Sequence, residues 1–138
     1  MMKLIIINGP NLNLIGKRET EIYGSDCFEE YLKKLKAKYP DIRIDYYQSN
    51  LEGELVDIIQ KSRVIYDGII LNAGAFTHTS IAIADAIRAI SIPVIEVHIS
   101  NIFSRESYRH KSMIATAVNG NISGFGLKSY QLAIESFI

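Results

Sequence analysis

The chain has 138 residues, 48% of them apolar and 22% charged, which suffices for one well-filled core and is too little for two ordinary domains, so residues 1–138 are expected to form a single domain. Fifteen basic and fifteen acidic residues cancel, removing the basic excess of a nucleic-acid binder and any membrane-surface signal, so the expected partner is a small molecule. A single cysteine, Cys27, excludes an internal disulfide and a cysteine-rich metal site, and its use fits a reducing, cytoplasmic compartment.

In chain order, Leu4 to Ile7 is a short apolar run stopped by Asn8, Gly9 and Pro10, which reads as an interior parallel strand rather than a signal peptide or membrane span. The polar loop from Asn8 to Ser25 is long enough to be an active-site lid. Asp26 and Glu29 have capping-box spacing, and Phe28, Tyr31, Leu32, Leu35 and Tyr39 follow at helical spacing up to Pro40. Ile42, Ile44 and Tyr46 alternate with Arg43, Asp45 and Tyr47, so the second strand is half exposed and expected near a sheet edge. Ser49 and Glu52 repeat the capping-box spacing before a helix whose apolar face is Leu51, Leu55, Ile58 and Ile59.

Residues 68–90 state the architecture most clearly. Ile69 to Leu71 is a strand covered on both faces, Asn72 to Ser80 crowds amide, hydroxyl and imidazole groups into one loop, and Ile81 to Ile90 is a helix. That loop falls at the carboxyl end of its strand, where open parallel sheets bind ligands, so Asn72, Thr77, His78, Thr79 and Ser80 are site candidates. The plainer alternative is that Thr77 or Thr79 caps the helix and Asn72 makes a turn. Only Asp85 and Arg88 are charged in the helix, and an all-round apolar helix suggests a second partner surface and an oligomer.

Val94 to Ile99 is a fourth strand, the stretch from Phe103 to Ser112 is irregular, Val118 to Gly124 is a weaker fifth strand, and Tyr130, Ala133, Ile134, Phe137 and Ile138 form one face of a last helix. The expected fold is α/β, single-domain, flavodoxin-like and three-layered, with a five-stranded parallel sheet.

Familiar motifs of this architecture fail. Asn11 stands where a phosphate-binding loop needs glycine and Arg18 where it needs Ser or Thr, while the glycines at 124 and 126 lack the third of a dinucleotide fingerprint. A magnesium-dependent receiver domain needs carboxylates where Asn8 and Asn72 stand, and His78, His98 and His110 have no zinc-ligand spacing, so no metal or cofactor is expected. His98 shares a strand face with Glu96, about 6.6 Å along the strand, where a carboxylate orients an imidazole and favours its protonated form; the alternative is a polar seam. Arg18, Arg105 and Arg109 fall in loops at one end of the sheet and suit a small anionic substrate. Tyr23 is a candidate base: deprotonating a phenol near pH 7 costs about 4 kcal/mol, and one arginine about 4 Å away at an effective dielectric of about 20 offsets about that much.

These segments together resemble type II 3-dehydroquinate dehydratases: NGPNLNLIGKRE at 8–19 with YG at 23–24, QSN at 48–50 with EG at 52–53, NAGAFTHTS at 72–80, EVHISN at 96–101 and RESYR at 105–109. The resemblance runs in order over nearly the whole chain, as far as the GFG at 124–126 and Tyr130. It implies a single catalytic domain that removes water from 3-dehydroquinate by anti elimination through an enolate, in the shikimate or related quinate pathway, with neither metal nor a Schiff-base lysine. By matched motif, Tyr23 is the base, Arg18 lowers its pKa, Asn11 holds a water near the enolate oxygen, His98 is the acid and Glu96 supports it. Asn72, His78, Ile99, Ser100 and Arg109 match substrate-binding positions, and Arg105 lies in the closing loop. Asp85 matches a residue that reaches a neighbouring subunit's site in a dodecamer built as four trimers. Thr20, Leu51, Ala73 and Ser107 depart from the usual residues and bear on lid stiffness and packing rather than on the acid or base. The rival class is a non-catalytic anion-binding module on the same fold, which keeps the arginines and has no need of Tyr23 and His98.

Overall fold

The structure is a computed structural model that describes residues 1–16 and 27–138. Its centre is a parallel sheet of β1 (Met2–Asn8), β2 (Ile42–Gln48), β3 (Gly68–Asn72), β4 (Val94–His98) and β5 (Gly120–Ser123), in the order β2-β1-β3-β4-β5. This is the flavodoxin-like order, with β2 at an edge as its alternating pattern requires. β1 extends beyond its apolar run at both ends because its register with β2 continues from Met2 opposite Ile42 to Asn8 opposite Gln48. β5 is shorter than the stretch expected from residue 118, beginning at Gly120 opposite Ile95.

Four α-helices among the described residues cover the sheet: α1 (Phe28–Lys38), α2 (Glu52–Ser62), α3 (Ile81–Arg88) and α4 (Lys128–Glu135). Successive strand residues point to opposite faces, so Leu4 and Ile6 join Phe28, Leu32, Leu35, Ala133 and Ile134 under α1 and α4. Ile5 and Ile7 join Leu55, Ile59, Ile83 and Ile87 under α2 and α3. The continuously apolar strands thereby serve two cores, giving the three layers.

Local signals held in part. Asp26 lies outside the described residues, and α1 begins after Cys27, which makes no side-chain cap. Ser49 does not pair with Glu52: its hydroxyl donates to Glu54 and accepts from the Leu51 backbone, because α2 begins two residues later than a capping box would place it. α3 is capped by Ser80, whose Oγ accepts from Ile83 N at 2.9 Å, rather than by Thr77 or Thr79. It is also less uniformly apolar in context than its composition suggests: Ile83, Ala84, Ala86 and Ile87 face the core, while Asp85 and Arg88 point outward and Ile81 is 61% exposed.

Candidate active site

Every strand ends at the same edge of a parallel sheet, so the loops after β1, β3 and β4 converge there. They approach closely. Gly9 N donates to Asn72 O at 2.7 Å, and a Cβ on Gly9 would stand 2.4 Å from Ala73 O, which is why this position has no side chain. The β1 loop then turns through Asn11, whose φ of 68° is left-handed, a conformation seldom taken by residues other than glycine and most tolerated by Asn and Asp. Its backbone N–H is held by Asn50 Oδ1 at 3.0 Å.

One cavity is lined by Asn11, Asn72, His78, His98, Ile99, Ser100, Arg105 and Arg109. Eight of the twelve residues given a role by matched motif thus meet in one place, although they come from four separate stretches of chain. Glu96 lies directly behind the cavity, fully buried, with Oε2 2.5 Å from His98 Nε2. The shared strand face therefore produces a direct contact. Asp85 is on the outer side of α3, hydrogen-bonded by Arg88 at 3.4 Å, and does not line the cavity. Arg18 and Tyr23 lie outside the described residues, as does Thr20.

His78 sits beside His98 with ring centroids 6.2 Å apart and planes 25° from parallel. Its Nδ1 donates to Lys111 O at 2.8 Å, since a carbonyl can only accept, so the neutral ring keeps Nε2 as an acceptor. Burial lowers the pKa of His78 from the ordinary imidazole value, and His98 and Arg109 lower it further, against the Lys111 carbonyl and Glu96, which act the other way. A neutral His78 is the form suited to accept a hydrogen bond from a substrate hydroxyl. Arg105 Nη1 reaches Ser100 Oγ at 3.3 Å, and Arg109 Nε donates to Glu106 Oε2 at 2.7 Å, a bond that holds the Glu106 carboxyl below its ordinary range. Two guanidinium groups on one wall provide the forked donors that a carboxylate accepts. Among the described residues, no group of three His, Cys, Asp or Glu side chains converges as a metal site.

Behind Asn72 runs a buried polar chain that residue patterns did not reveal. Asn72 Nδ2 donates to Tyr130 Oη at 3.0 Å, Tyr130 donates to Asn8 Oδ1 at 2.7 Å, and Asn8 Nδ2 approaches Tyr46 Oη at 3.4 Å. Burial pushes the Tyr130 hydroxyl well above the usual phenol range and that of Tyr46 up to about 12, so both stay protonated. Helical spacing places Tyr130 on the apolar face of its helix, and its ring does pack on Phe28 at 5.0 Å. Helical spacing locates the ring but not the hydroxyl at its tip; the available hint was that a buried tyrosine needs a partner. Asn72 also makes the turn foreseen for it, its Oδ1 accepting from Gly74 N at 3.1 Å. Of the unusual residues, Leu51 is exposed at the start of α2, Ala73 is buried beside Gly9, and Ser107 opens the short helical turn that carries Arg109.

Comparison with known proteins agrees over the full length. The family profile described as Dehydroquinase class II matches residues 2–138. A 3-dehydroquinate dehydratase of Prochlorococcus marinus (strain NATL1A) is 50% identical over 139 aligned residues, covering 99% of this chain and 96% of the relative. One from Caldicellulosiruptor bescii is 53% identical over 137, covering 97% and 94%. Among solved structures, the type II dehydroquinase of Butyrivibrio crossotus superposes with a TM-score of 0.94 at 46% identity, covering 98% of this chain and 96% of that one.

Proposed function

The chain belongs to the class II dehydroquinase family, and from that premise we propose that it is a single catalytic domain, residues 1–138, which converts 3-dehydroquinate to 3-dehydroshikimate and water in the shikimate pathway. The observation that carries the reading is the buried Glu96–His98 pair, opening onto a cavity that also holds Asn72, His78, Arg105 and Arg109. An elimination needs a base on one side of a small anionic substrate and an acid on the other, and this wall offers an acid and anion-binding groups together.

In the proposed reaction Tyr23, its phenol acidified by Arg18, removes a proton from C2. The electron pair passes into the adjacent ketone to form an enolate, near which Asn11 holds a water. The enolate then expels the C1 hydroxyl, which leaves as water with a proton from His98, while Glu96 holds the imidazole. The backbone of Ile99 and Ser100 receives the substrate carboxylate, Asn72, His78 and Arg109 hold the rest of the substrate, and Arg105 belongs to the closing loop. No metal or cofactor takes part.

Asp85, outward on α3 and 70% exposed in its side chain, is assigned to a neighbouring subunit's site in a dodecamer of four trimers. The exposed Ile81 one turn earlier on the same helix supports burial against a second copy. Sedimentation showing only monomer at micromolar concentration overturns that assembly. No helix among the described residues is long and apolar enough to cross a membrane; the assigned compartment is the cytoplasm, and neither nucleic acid nor membrane is a partner.

The test is to mix the purified chain with 3-dehydroquinate, with chelator present and after borohydride treatment, and follow the conjugated enone of the product by absorbance. Turnover under both conditions is expected. Folded protein that binds the substrate and leaves it unchanged is instead an anion-binding module.

A further inference from the structure

One side chain beside the acid has no part in the proposed reaction. Ser112 Oγ donates to Glu96 Oε2 at 2.9 Å, and this is the same oxygen that faces His98 Nε2. The other carboxylate oxygen, Oε1, is buried with no hydrogen-bond partner among the described residues. Both donors therefore converge on a single oxygen, whose charge is divided between an imidazole and a hydroxyl.

Ser112 is held in place by its neighbours. Lys111 O accepts from His78 Nδ1 at 2.8 Å, and Met113 N donates to Thr77 O at 2.7 Å. Three consecutive residues thus bridge the turn after β3 to the end of β4, with the middle one aimed at Glu96. The same short segment orients His78, on one wall of the cavity, and the carboxylate behind His98.

We propose that Ser112 is a positioning residue of the dehydration, acting through Glu96: its hydroxyl fixes the carboxylate and limits how tightly the Glu96–His98 pair holds its proton. This deepens the functional reading and rests on His98 being the acid. A hydroxyl donor stabilises a carboxylate most when no proton sits on the pair, because protonation of the pair drains charge from Oε2. Without that donor the unprotonated pair is less stable, and the pair as a unit retains its proton to higher pH.

Other charged or titratable groups lie on the elements packed around the pair. His78 stacks on His98 from the turn after β3, and Arg105 and Arg109 line the cavity from the segment after β4. Asp85 and Arg88 on α3 pair with each other, and Lys111 is exposed. On β5 the register partners of Glu96 and His98 are the uncharged Asn121 and Ser123. None of these changes when Ser112 alone is replaced, so a difference between variants reports the hydroxyl.

The experiment follows the His98 ring resonances against pH in isotope-labelled full-length protein, and separately the pH profile of kcat and kcat/KM with 3-dehydroquinate. Wild type is compared with Ser112→Ala, Ser112→Cys and Ser112→Thr. In Ser112→Ala the His98 titration and the matching limb of the profile move to higher pH. At the wild-type optimum kcat falls about tenfold with little change in KM, as expected for loss of one charge-assisted hydrogen bond to the acid's partner. Ser112→Cys, a weak donor of similar shape, moves in the same direction by less, so a poorly folded alanine variant does not decide the matter. Ser112→Thr restores the wild-type profile. A His98 titration that is the same in wild type, Ser112→Ala and Ser112→Cys overturns the proposal. Wild-type protein whose His98 titration responds to Ser112 as described, yet which leaves 3-dehydroquinate intact, overturns the functional reading instead.

Discussion

Asn72, at the end of β3, is hydrogen-bonded through Nδ2 to the hydroxyl of Tyr130 on α4, 58 positions further along the chain. The tyrosine is fully buried, and its own hydroxyl donates a hydrogen bond to Asn8 Oδ1 at the end of β1. One phenol therefore ties the ends of two adjacent central strands to the helix that packs across them. Tyr130→Phe keeps the ring and leaves Asn8 Oδ1 and an Asn72 N–H without that partner, a loss of about 1–3 kcal/mol in unfolding free energy. Because Asn72 lines the cavity, KM for 3-dehydroquinate should rise as well. Denaturant unfolding and steady-state kinetics on the variant measure the two effects, and an unaltered KM would show that Asn72 keeps its orientation without the hydroxyl.

Tyr23→Phe is expected to lower kcat by at least about 100-fold while the folded chain and its affinity for a substrate analogue persist, as befits removal of a general base. His98→Ala should lose turnover to a similar degree, and Glu96→Gln, which keeps the shape and removes the charge behind the imidazole, should alter the pH profile. Wild-type turnover in Tyr23→Phe rules it out as the base. An unaltered profile in Glu96→Gln makes that carboxylate a structural group only.

His78 gives a pH dependence of stability with a definite sign. Its pKa is lower in the folded chain than the ordinary imidazole value, chiefly through burial. As pH falls through about 6.5 the unfolded chain takes up this proton before the folded one does, so the contribution is present above that range and lost below it. His78→Gln should flatten the decline of thermal midpoint between about pH 7 and pH 5.5. Parallel slopes for wild type and variant would mean that His78 is protonated equally in both states.

Gly9→Ala tests the close approach of two loops. The added methyl meets backbone, Ala73 O at 2.4 Å, and not a flexible side-chain tip that can move away. A cost of about 1–3 kcal/mol is expected, together with loss of activity, because Asn11 follows two residues later. Comparison of melting temperature and kcat/KM with wild type decides it; a variant as stable and active as wild type would show that the β1 and β3 loops can separate without consequence.

The strands could be read from the sequence because residues buried on both faces must be apolar throughout, and Leu4 to Ile7 and Ile69 to Leu71 are. The Glu96–His98 contact was accessible for a similar reason: two residues apart on a strand means the same face. Boundaries were less legible. The start of α2 and the Ser80 cap were missed because Ser, Thr and Asn at neighbouring positions compete for the same backbone donors, and only the final loop path selects one.

Local periodicity suffices for the fold class, for the strand whose carboxyl end carries Asn72, and for setting Glu96 and His98 on one strand face. Matched motifs supplied the family and the reaction it implies. That Tyr130 anchors Asn72, and that Ser112 shares an oxygen of Glu96 with the imidazole, follows from packing alone. Their separations in the chain, 58 and 16 positions, exceed any repeat of a helix or strand, so these bonds exist only after the layers have packed.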